Sequence, residues 1–401
     1  MIREEVYEPR EDSYLLQKYV EKYSKGCELV LDMGTGTGIQ AVTASKNSGF
    51  VLACDINLNA AEHLKEEIKK NKINNIEVFC SDLFEFLHGK YFDVKSRRIV
   101  KSTKKNKFDL MVFNPPYLIK EYRITDFAIF GGKRGYETTG RFINECSDFL
   151  KDDGKVLITG SSLVNNDKLK EIIDNNLLEA GKLESQHFFF EDVFILLIRK
   201  SGMLKRLNKL GISGIRFFSQ GKRGRIFTGY IGKKKAGIKI KRAGSTALNT
   251  VSNEIRILKI LNKEGIGPEL LLYGDDFLAY SFVEGKFILD FIQDADRNSI
   301  IDVVKEVFRQ CSAMDRLGIN KFEMQHPVKH IIVGEKTVLI DFERARFSPN
   351  PKNVTQFCDF LIRIRKHLGE KDITVDKNRL IRLAKGYKED MDINKIFSVF
   401  N

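Results

Sequence analysis

Glu28-Leu29-Val30-Leu31-Asp32-Met33-Gly34-Thr35-Gly36-Thr37-Gly38 is the stretch that decides the fold. An apolar run of strand length passes directly into three glycines at alternate positions, and a helix-like segment follows. Glycine admits positive φ without a Cβ penalty, and the helix behind such a turn presents unpaired N–H groups to a ligand. Nicotinamide-binding folds use similar loops, so the turn alone points only to a cofactor. Further apolar runs follow at FVLACD (50–55), IEVFC (76–80), FDLMVF (108–113) and KVLITG (155–160), with amphipathic stretches between them. That alternation predicts an α/β fold, a parallel sheet covered by helices on both faces. The last runs, ESQHFFF and DVFILLIRK, are nearly contiguous. No crossover helix fits between them, so they form an antiparallel hairpin.

The ends of the strands carry the chemistry. Asp55 closes the second run about 20 residues after the glycine loop, where a carboxylate accepts both ribose hydroxyls of a nucleoside. Ser81-Asp82-Leu83 closes the third, with a carboxylate for an adenine amino group and an apolar neighbour for the ring. The fourth ends in Asn114-Pro115-Pro116-Tyr117. Two prolines leave the ladder and direct a carbonyl to the carboxyl edge of the sheet, where open α/β sheets bind ligands. The Asn114 side-chain oxygen and the Pro115 carbonyl then accept both hydrogens of one planar –NH2 group, and Tyr117 stacks on its flat face. Held so, the nitrogen lone pair faces a methyl sulfonium, which is catalysis by positioning and electrostatics. The attacking nitrogen is neutral and sheds its proton only after transfer. A carboxamide and the adenine N6 amine present the same group, so methylation of nucleic acid stands as the alternative. No base-flipping module is legible in the first 200 residues.

At 401 residues the chain exceeds one core, and two domains follow, 1–200 and 205–401, with the boundary in RKSGMLKR near 200. Polar, acidic first residues and the lack of a long apolar run predict a cytoplasmic protein with no membrane segment. Six cysteines (Cys27, Cys54, Cys80, Cys146, Cys311, Cys358) have no C-x-x-C spacing and are expected to be reduced packing residues. The net charge of +13 is uneven. Residues 1–200 carry 30 Lys+Arg against 31 Asp+Glu, whereas 201–401 carry 37 against 23. Within the second half, 201–250 hold 13 basic side chains and no acidic one. Such a strip attracts ribosomal RNA, tRNA or an acidic surface, or forms a solvated sheet face. A second basic stretch, 88–107, is expected to be a mobile solvated loop, with contact to ribosomal RNA or tRNA as the alternative.

Together, Val6-Tyr7-Glu8-Pro9-Arg10-Glu11-Asp12-Ser13, the glycine loop, Asp55, Ser81-Asp82-Leu83, Asn114-Pro115-Pro116-Tyr117 and Phe130-Gly131-Gly132-Lys133-Arg134-Gly135 resemble the HemK-like glutamine methyltransferases. The similarity is to the archaeal and eukaryotic branch that modifies class 1 translation release factors, over about residues 1–199. It implies a class I, Rossmann-like, seven-stranded sheet and S-adenosylmethionine as cofactor. By resemblance, Ser13, Asp32, Gly34, Gly36, Asp55, Asp82, Leu83 and Asn114 contact the cofactor. Asn114 to Tyr117 hold the glutamine amide of a Gly-Gly-Gln loop. A release factor as substrate and a small zinc-binding activator protein as partner are also implied.

After residue 200 the rhythm becomes strands first and helices afterwards, an α+β two-lobed pattern. Gly221-Lys222-Arg223-Gly224 in a turn, Lys239 on a strand and Glu254 on a helix are ordered as in a protein-kinase N-lobe, with Lys241 competing for the place of Lys239. Phe282-Val283-Glu284-Gly285 resembles a hinge, and Asp341-Phe342-Glu343 stands where a D-F-G motif would. The set resembles small archaeal predicted Ser/Thr kinases related to the RIO and Bud32 types, over about 205–400. It implies ATP binding through Gly221, Gly224, Lys239, Glu254 and Asp341, with Asp341 on Mg2+. The catalytic loop departs from the pattern: Gln325 takes the place of the aspartate base, His330 that of the metal-binding asparagine, and Glu323 is the nearest carboxylate. Phosphate transfer, ATP binding without transfer, and a docking role are therefore all compatible with this half. In a rival organisation this half does the work and the methyltransferase fold is its platform.

Overall fold

In the computed structural model, which describes residues 6–102, 105–117, 134–188, 190–221, 224–241 and 250–400, the apolar runs of the first half form one seven-stranded sheet. Its strands are β1 (Leu29–Met33), β2 (Phe50–Asp55), β3 (Ile76–Cys80), β4 (Phe108–Phe113), β5 (Leu150–Ser161), β6 (Leu178–Phe188) and β7 (Glu191–Lys200), in the order β3-β2-β1-β4-β5-β7-β6. The first five pair in parallel, and β7 runs antiparallel to both β5 and β6. Parallel strands are covered on both faces, which is why β1 is buried at every position and reads as an unbroken apolar run. Residues from α1 (Glu11–Tyr23), α2 (Ile39–Ser45) and α3 (Leu58–Lys70) join one core with Val30, Val51, Val112 and Ile195 of the sheet. Side-chain alternation turns Phe113 the other way. There it meets Phe142 of α4 (Glu137–Phe149), ring centroids 4.9 Å apart, and α5 (Asn166–Asn175) follows β5 in the chain.

The basic insertion departs from its expectation as a loop. Lys90–Asp93 and Arg98–Lys101 pair as an antiparallel hairpin. Phe92 is buried in it, its ring 5.6 Å from Phe50 and 5.7 Å from Phe79. Asn106 closes the base, accepting from the Phe92 N–H at 2.8 Å and donating to its carbonyl at 2.9 Å. A buried aromatic and a buried amide outweigh the cost of ordering a charged segment whose described cations stay at the surface.

The chain divides into two units, Met1–Arg216 and Phe217–Asn401. The division falls beyond residue 200 because the connector is tied back to the first unit. Lys200 pairs with Asp152 at 3.1 Å, Lys205 with Asp153 at 2.8 Å and Arg216 with Asp148 at 2.8 Å. Ser201 caps α6 (Gly202–Lys209), accepting from the Leu204 N–H.

Strands β8 (Ile212–Gln220), β9 (Gly224–Ile231), β10 (Lys234–Lys241), β11 (Leu270–Tyr273) and β12 (Phe277–Ser281) make an antiparallel sheet in the order β8-β9-β10-β12-β11. The helix α7 (Thr250–Leu261) precedes β11. From residue 288 onward the chain is largely helical, with α8 (Arg297–Arg316), α9 (Asn353–Arg363) and α10 (Lys377–Asp390) around one apolar core, and a small three-stranded sheet joins 286–287 to 331–333 and 337–339. No helix among the described residues is long and apolar enough to cross a membrane.

Candidate functional site

The glycine loop bends as its composition requires. Gly34, Gly36 and Gly38 take φ of 63°, 54° and 89°. A Cβ on Gly38 would stand 2.3 Å from Leu64 Cδ1 and one on Gly34 3.1 Å from Phe113 Cε2, whereas at Gly36 nothing lies nearer than the Tyr7 carbonyl at 3.6 Å. Gly34 and Gly38 therefore let the loop pack, and Gly36 keeps its outer face open. Asp32 does not share that face. It is buried beneath the loop, where Oδ2 accepts from Thr35 Oγ1 at 2.6 Å and from the Ala41 N–H at 3.0 Å. Burial pushes its carboxyl up to about 7 although both hydrogen bonds favour the charged form. Through Oδ2, Asp32 thus holds the turn from below.

The loop borders a cavity of about 730 Å³, within the ~300–1,000 Å³ range of small-molecule sites. Ser13, Gly34, Gly36, Asp55, Asp82, Leu83 and Asn114 to Tyr117 all line it. Asp55 accepts from the Gly36 N–H through Oδ2 and the Asn57 N–H through Oδ1, each at 2.9 Å. Those bonds, with a further one from the Ile56 N–H, fix the carboxylate on the cavity wall. Burial raises its pKa, and the backbone bonds oppose the rise. Asp82 is paired with Arg141 at 2.8 Å. Leu83 beside it holds φ of 47°, a conformation that a branched apolar residue adopts only under constraint from its surroundings.

Asn114 is the most informative residue of the wall. Its Nδ2 donates to Asp12 Oδ2 at 3.1 Å and to Ser13 Oγ at 3.3 Å. Its Oδ1 is buried and has no hydrogen-bond partner among the described residues. An orphaned buried acceptor is costly and rare, so a donor from a ligand is the natural complement. Tyr117 reaches Glu191 Oε1 at 3.5 Å, and Glu191 also takes the Ser161 hydroxyl. Burial, with Asp12 and Glu191 nearby, raises the Tyr117 phenol far above its ordinary range, so it remains a neutral ring.

Among the wall residues that escaped the sequence reading are Tyr7, Asp12 and Glu191. Tyr7 and Asp12 lie in the N-terminal segment quoted for the resemblance, which carried no role for either. No spacing rule connects Asp12 with Asn114, 102 positions away, or Glu191 with Tyr117, 74 away. Residues 130–133 of the later motif lie outside the described residues, and only Arg134 and Gly135 of it can be placed.

A second constellation sits in the second unit. Lys239 on β10 pairs with Glu254 of α7 at 2.7 Å, with Asp341 at 2.9 Å and with Glu343 at 3.1 Å. Lys239 rather than its neighbour Lys241 is the buried one. Burial works against its charge, but the three carboxylates outweigh it and hold the ammonium well above its usual pKa. Glu254 Oε1 accepts from the Phe342 N–H at 3.0 Å, and Asp341 takes φ of 63°. Oxygens of Glu254, Asp341 and Glu343 lie within 4.8 Å of one another. Gly221 N donates to the Gly224 carbonyl at 2.9 Å and closes the hairpin turn, while Lys222 and Arg223 fall outside the described residues. Lys321, unremarked in the sequence, is wholly buried, pairs with Glu323 at 3.4 Å and donates to the Asp341 carbonyl. His330 has a buried Nδ1 without a partner among the described residues. Part of the 201–250 charge is spent internally: besides Lys205, Arg216 and Lys239, Lys234 pairs with Glu269 and Lys235 with Glu284.

Comparison with known proteins bears on the first unit. Residues 12–183 match the family model described as Methyltransferase small domain. A putative protein N5-glutamine methyltransferase of Methanocaldococcus jannaschii is 40% identical over 186 residues, spanning 44% of this chain and 81% of that protein. Human methyltransferase HEMK2 is 26% identical over 208 residues, 49% of this chain and 91% of its own length. A release factor glutamine methyltransferase of Streptococcus pneumoniae is 29% identical over 143 residues, 32% of this chain and 44% of that protein.

Proposed function

Because the chain belongs, over its first ~190 residues, to the HemK-like protein glutamine methyltransferases, we propose that it methylates the side-chain amide nitrogen of a glutamine, the one in the Gly-Gly-Gln loop of a translation release factor. Its cofactor is S-adenosylmethionine, which when bound supplies an electrophilic methyl group. The observation that carries the proposal is the Oδ1 of Asn114, unpaired among the described residues, on a cavity wall shared with Pro115, Pro116 and Tyr117.

The residues divide the work. Asp55 takes the ribose hydroxyls and Asp82 the adenine edge, with Leu83 against the ring. Gly34 and Gly36 let the loop approach the cofactor, Ser13 adds a wall contact, and Asp32 props the turn. Asn114 Oδ1 and the Pro115 carbonyl accept the two amide hydrogens, Pro116 keeps the backbone from returning to the sheet, and Tyr117 covers the planar face. Bidentate acceptance favours a nitrogen whose N–H bonds grow more acidic as the methyl is gained, so these contacts strengthen in the transition state.

The deciding experiment incubates the full chain with labelled S-adenosylmethionine and either a release factor or structured RNA, followed by mass spectrometry. Label on the glutamine of the Gly-Gly-Gln peptide is expected. Label on adenine N6, with the peptide unmodified, would overturn the assignment. Co-expression with a small zinc-binding protein tests whether this chain also needs the activator that the resemblance implies.

For residues 217–401, the 2.7 Å pair of Lys239 with Glu254 and the adjacent Asp341 favour a kinase-derived site for ATP with Mg2+, in which Lys239 and the Gly221–Gly224 turn hold phosphates and Asp341 the metal. Thermal stabilisation by ATP with Mg2+, lost in Asp341→Ala while methylation persists, is the expected result. Equal ATP affinity in that variant would remove the assignment.

A further inference from the structure

Four donors converge on the carboxylate of Asp12, which is 5% exposed. The Ser13 N–H reaches Oδ1 at 2.6 Å and the Ser13 hydroxyl reaches it at 3.2 Å, the Tyr7 hydroxyl lies 3.2 Å from both oxygens, and Asn114 Nδ2 reaches Oδ2 at 3.1 Å. The last contact matters for a reason of shape. A primary amide turned by 180° about its last bond occupies nearly the same volume, with N and O exchanged. Turned that way, Asn114 would point its –NH2 at the –NH2 of an incoming amide, donor against donor. Ser13 Oγ cannot forbid this orientation, since a hydroxyl both donates and accepts. A carboxylate accepts only.

We propose that Asp12 is a positioning residue for methyl transfer: it captures Asn114 Nδ2, so that Asn114 Oδ1 is the atom offered to the acceptor nitrogen, and Tyr7 holds Asp12 in place. The inference rests on the amide-methylation reading of the site and adds what sets its polarity. Asp12 takes no part in bond making, and its effect passes wholly through Asn114.

The test is a pair of substitutions read in two backgrounds. Asp12→Asn should lower kcat by about 10–100-fold, the usual scale for a group that orients a reacting one, with cofactor affinity within about two-fold as evidence that the fold is intact. In an Asn114→Asp background there is no amide to orient, both oxygens already accept, and the two carboxylates repel. There Asp12→Asn supplies a donor and should raise kcat. A reversal of sign is not the behaviour of a residue that merely supports the fold. Equal losses in both backgrounds, or a wild-type kcat for Asp12→Asn, would overturn the proposal. Hydrogen exchange of the Asn114 side-chain amide, followed by NMR, decides the orientation without activity: the wild type should be protected and Asp12→Asn should not. If the wild-type protein methylates no glutamine peptide, the amide-methylation reading falls. Unprotected Asn114 amide hydrogens in the wild type remove Asp12's role whatever the acceptor is.

Discussion

The two constellations treat their polar atoms in opposite ways. In the first unit the cavity wall leaves Asn114 Oδ1 buried without a partner among the described residues. In the second unit Lys239 is enclosed by Glu254, Asp341 and Glu343, and Lys321 is spent on Glu323 and the Asp341 carbonyl. The first site is an incomplete hydrogen-bond network that a ligand completes. In the second, Lys239 is already paired, so an anionic ligand must win it away from carboxylates. Preorganised sites gain from a ligand at once, whereas a self-paired cluster must first be opened.

The contrast can be broken most sharply from the second side. Lys239→Met leaves Glu254 buried without its cation, and breaking such a pair costs about 3–5 kcal/mol. Chemical denaturation should show the second unit weakened by that amount while cofactor binding in the first is unchanged; a small loss would mean that the cluster is not closed. Next in size, Asn114→Ala removes the acceptor and should slow single-turnover methyl transfer by on the order of 10²–10³, with calorimetric cofactor affinity nearly unaltered. If affinity falls and transfer per bound complex is intact, Asn114 belongs to the cofactor and not to the acceptor. Gly38→Ala comes third. A methyl group 2.3 Å from Leu64 Cδ1 at φ of 89° should cost about 1–3 kcal/mol in unfolding experiments.

A pH experiment sharpens the comparison within the first unit. Asp32 has a folded pKa of about 7 against an unfolded one near 4, so the unfolded chain gives up this proton first. The stability it contributes is full below about pH 4, declines as pH rises towards 7 and levels off above. Asp32→Asn keeps an acceptor for Thr35 and Ala41 and should flatten that part of the urea-midpoint profile. An unchanged slope between pH 4 and 7 would show that Asp32 is ionised in the fold. The smallest effect is expected at the surface: Lys234, half exposed beside Glu269, should cost no more than about 1 kcal/mol when replaced by alanine.

Much of this was readable beforehand, and the reason differs from residue to residue. The strands were legible because a doubly covered parallel sheet needs continuous apolar runs, and Leu29–Met33 is one. The positive φ at Gly34, Gly36 and Gly38 was legible because only glycine adopts it freely. The hairpin in 88–107 was not, since Phe92 and Asn106 are two weak signals in a field of lysines. Lys321 resisted too, because a buried lysine looks like any other until its partners are known.

Taken alone, the order of residues determined whatever depends on near neighbours: the strands, the glycine turn, the rigid Asn-Pro-Pro-Tyr corner and the lysine-then-glutamate order of the second half. Tertiary structure decided which of those side chains meet. It put Asp32 beneath the loop instead of on the cavity wall, chose Lys239 over Lys241, and set Asp12 against Asn114 across 102 positions. Local geometry follows from torsional preferences within a few bonds. The facing of two distant polar groups follows from strand order and packing, which no short stretch contains.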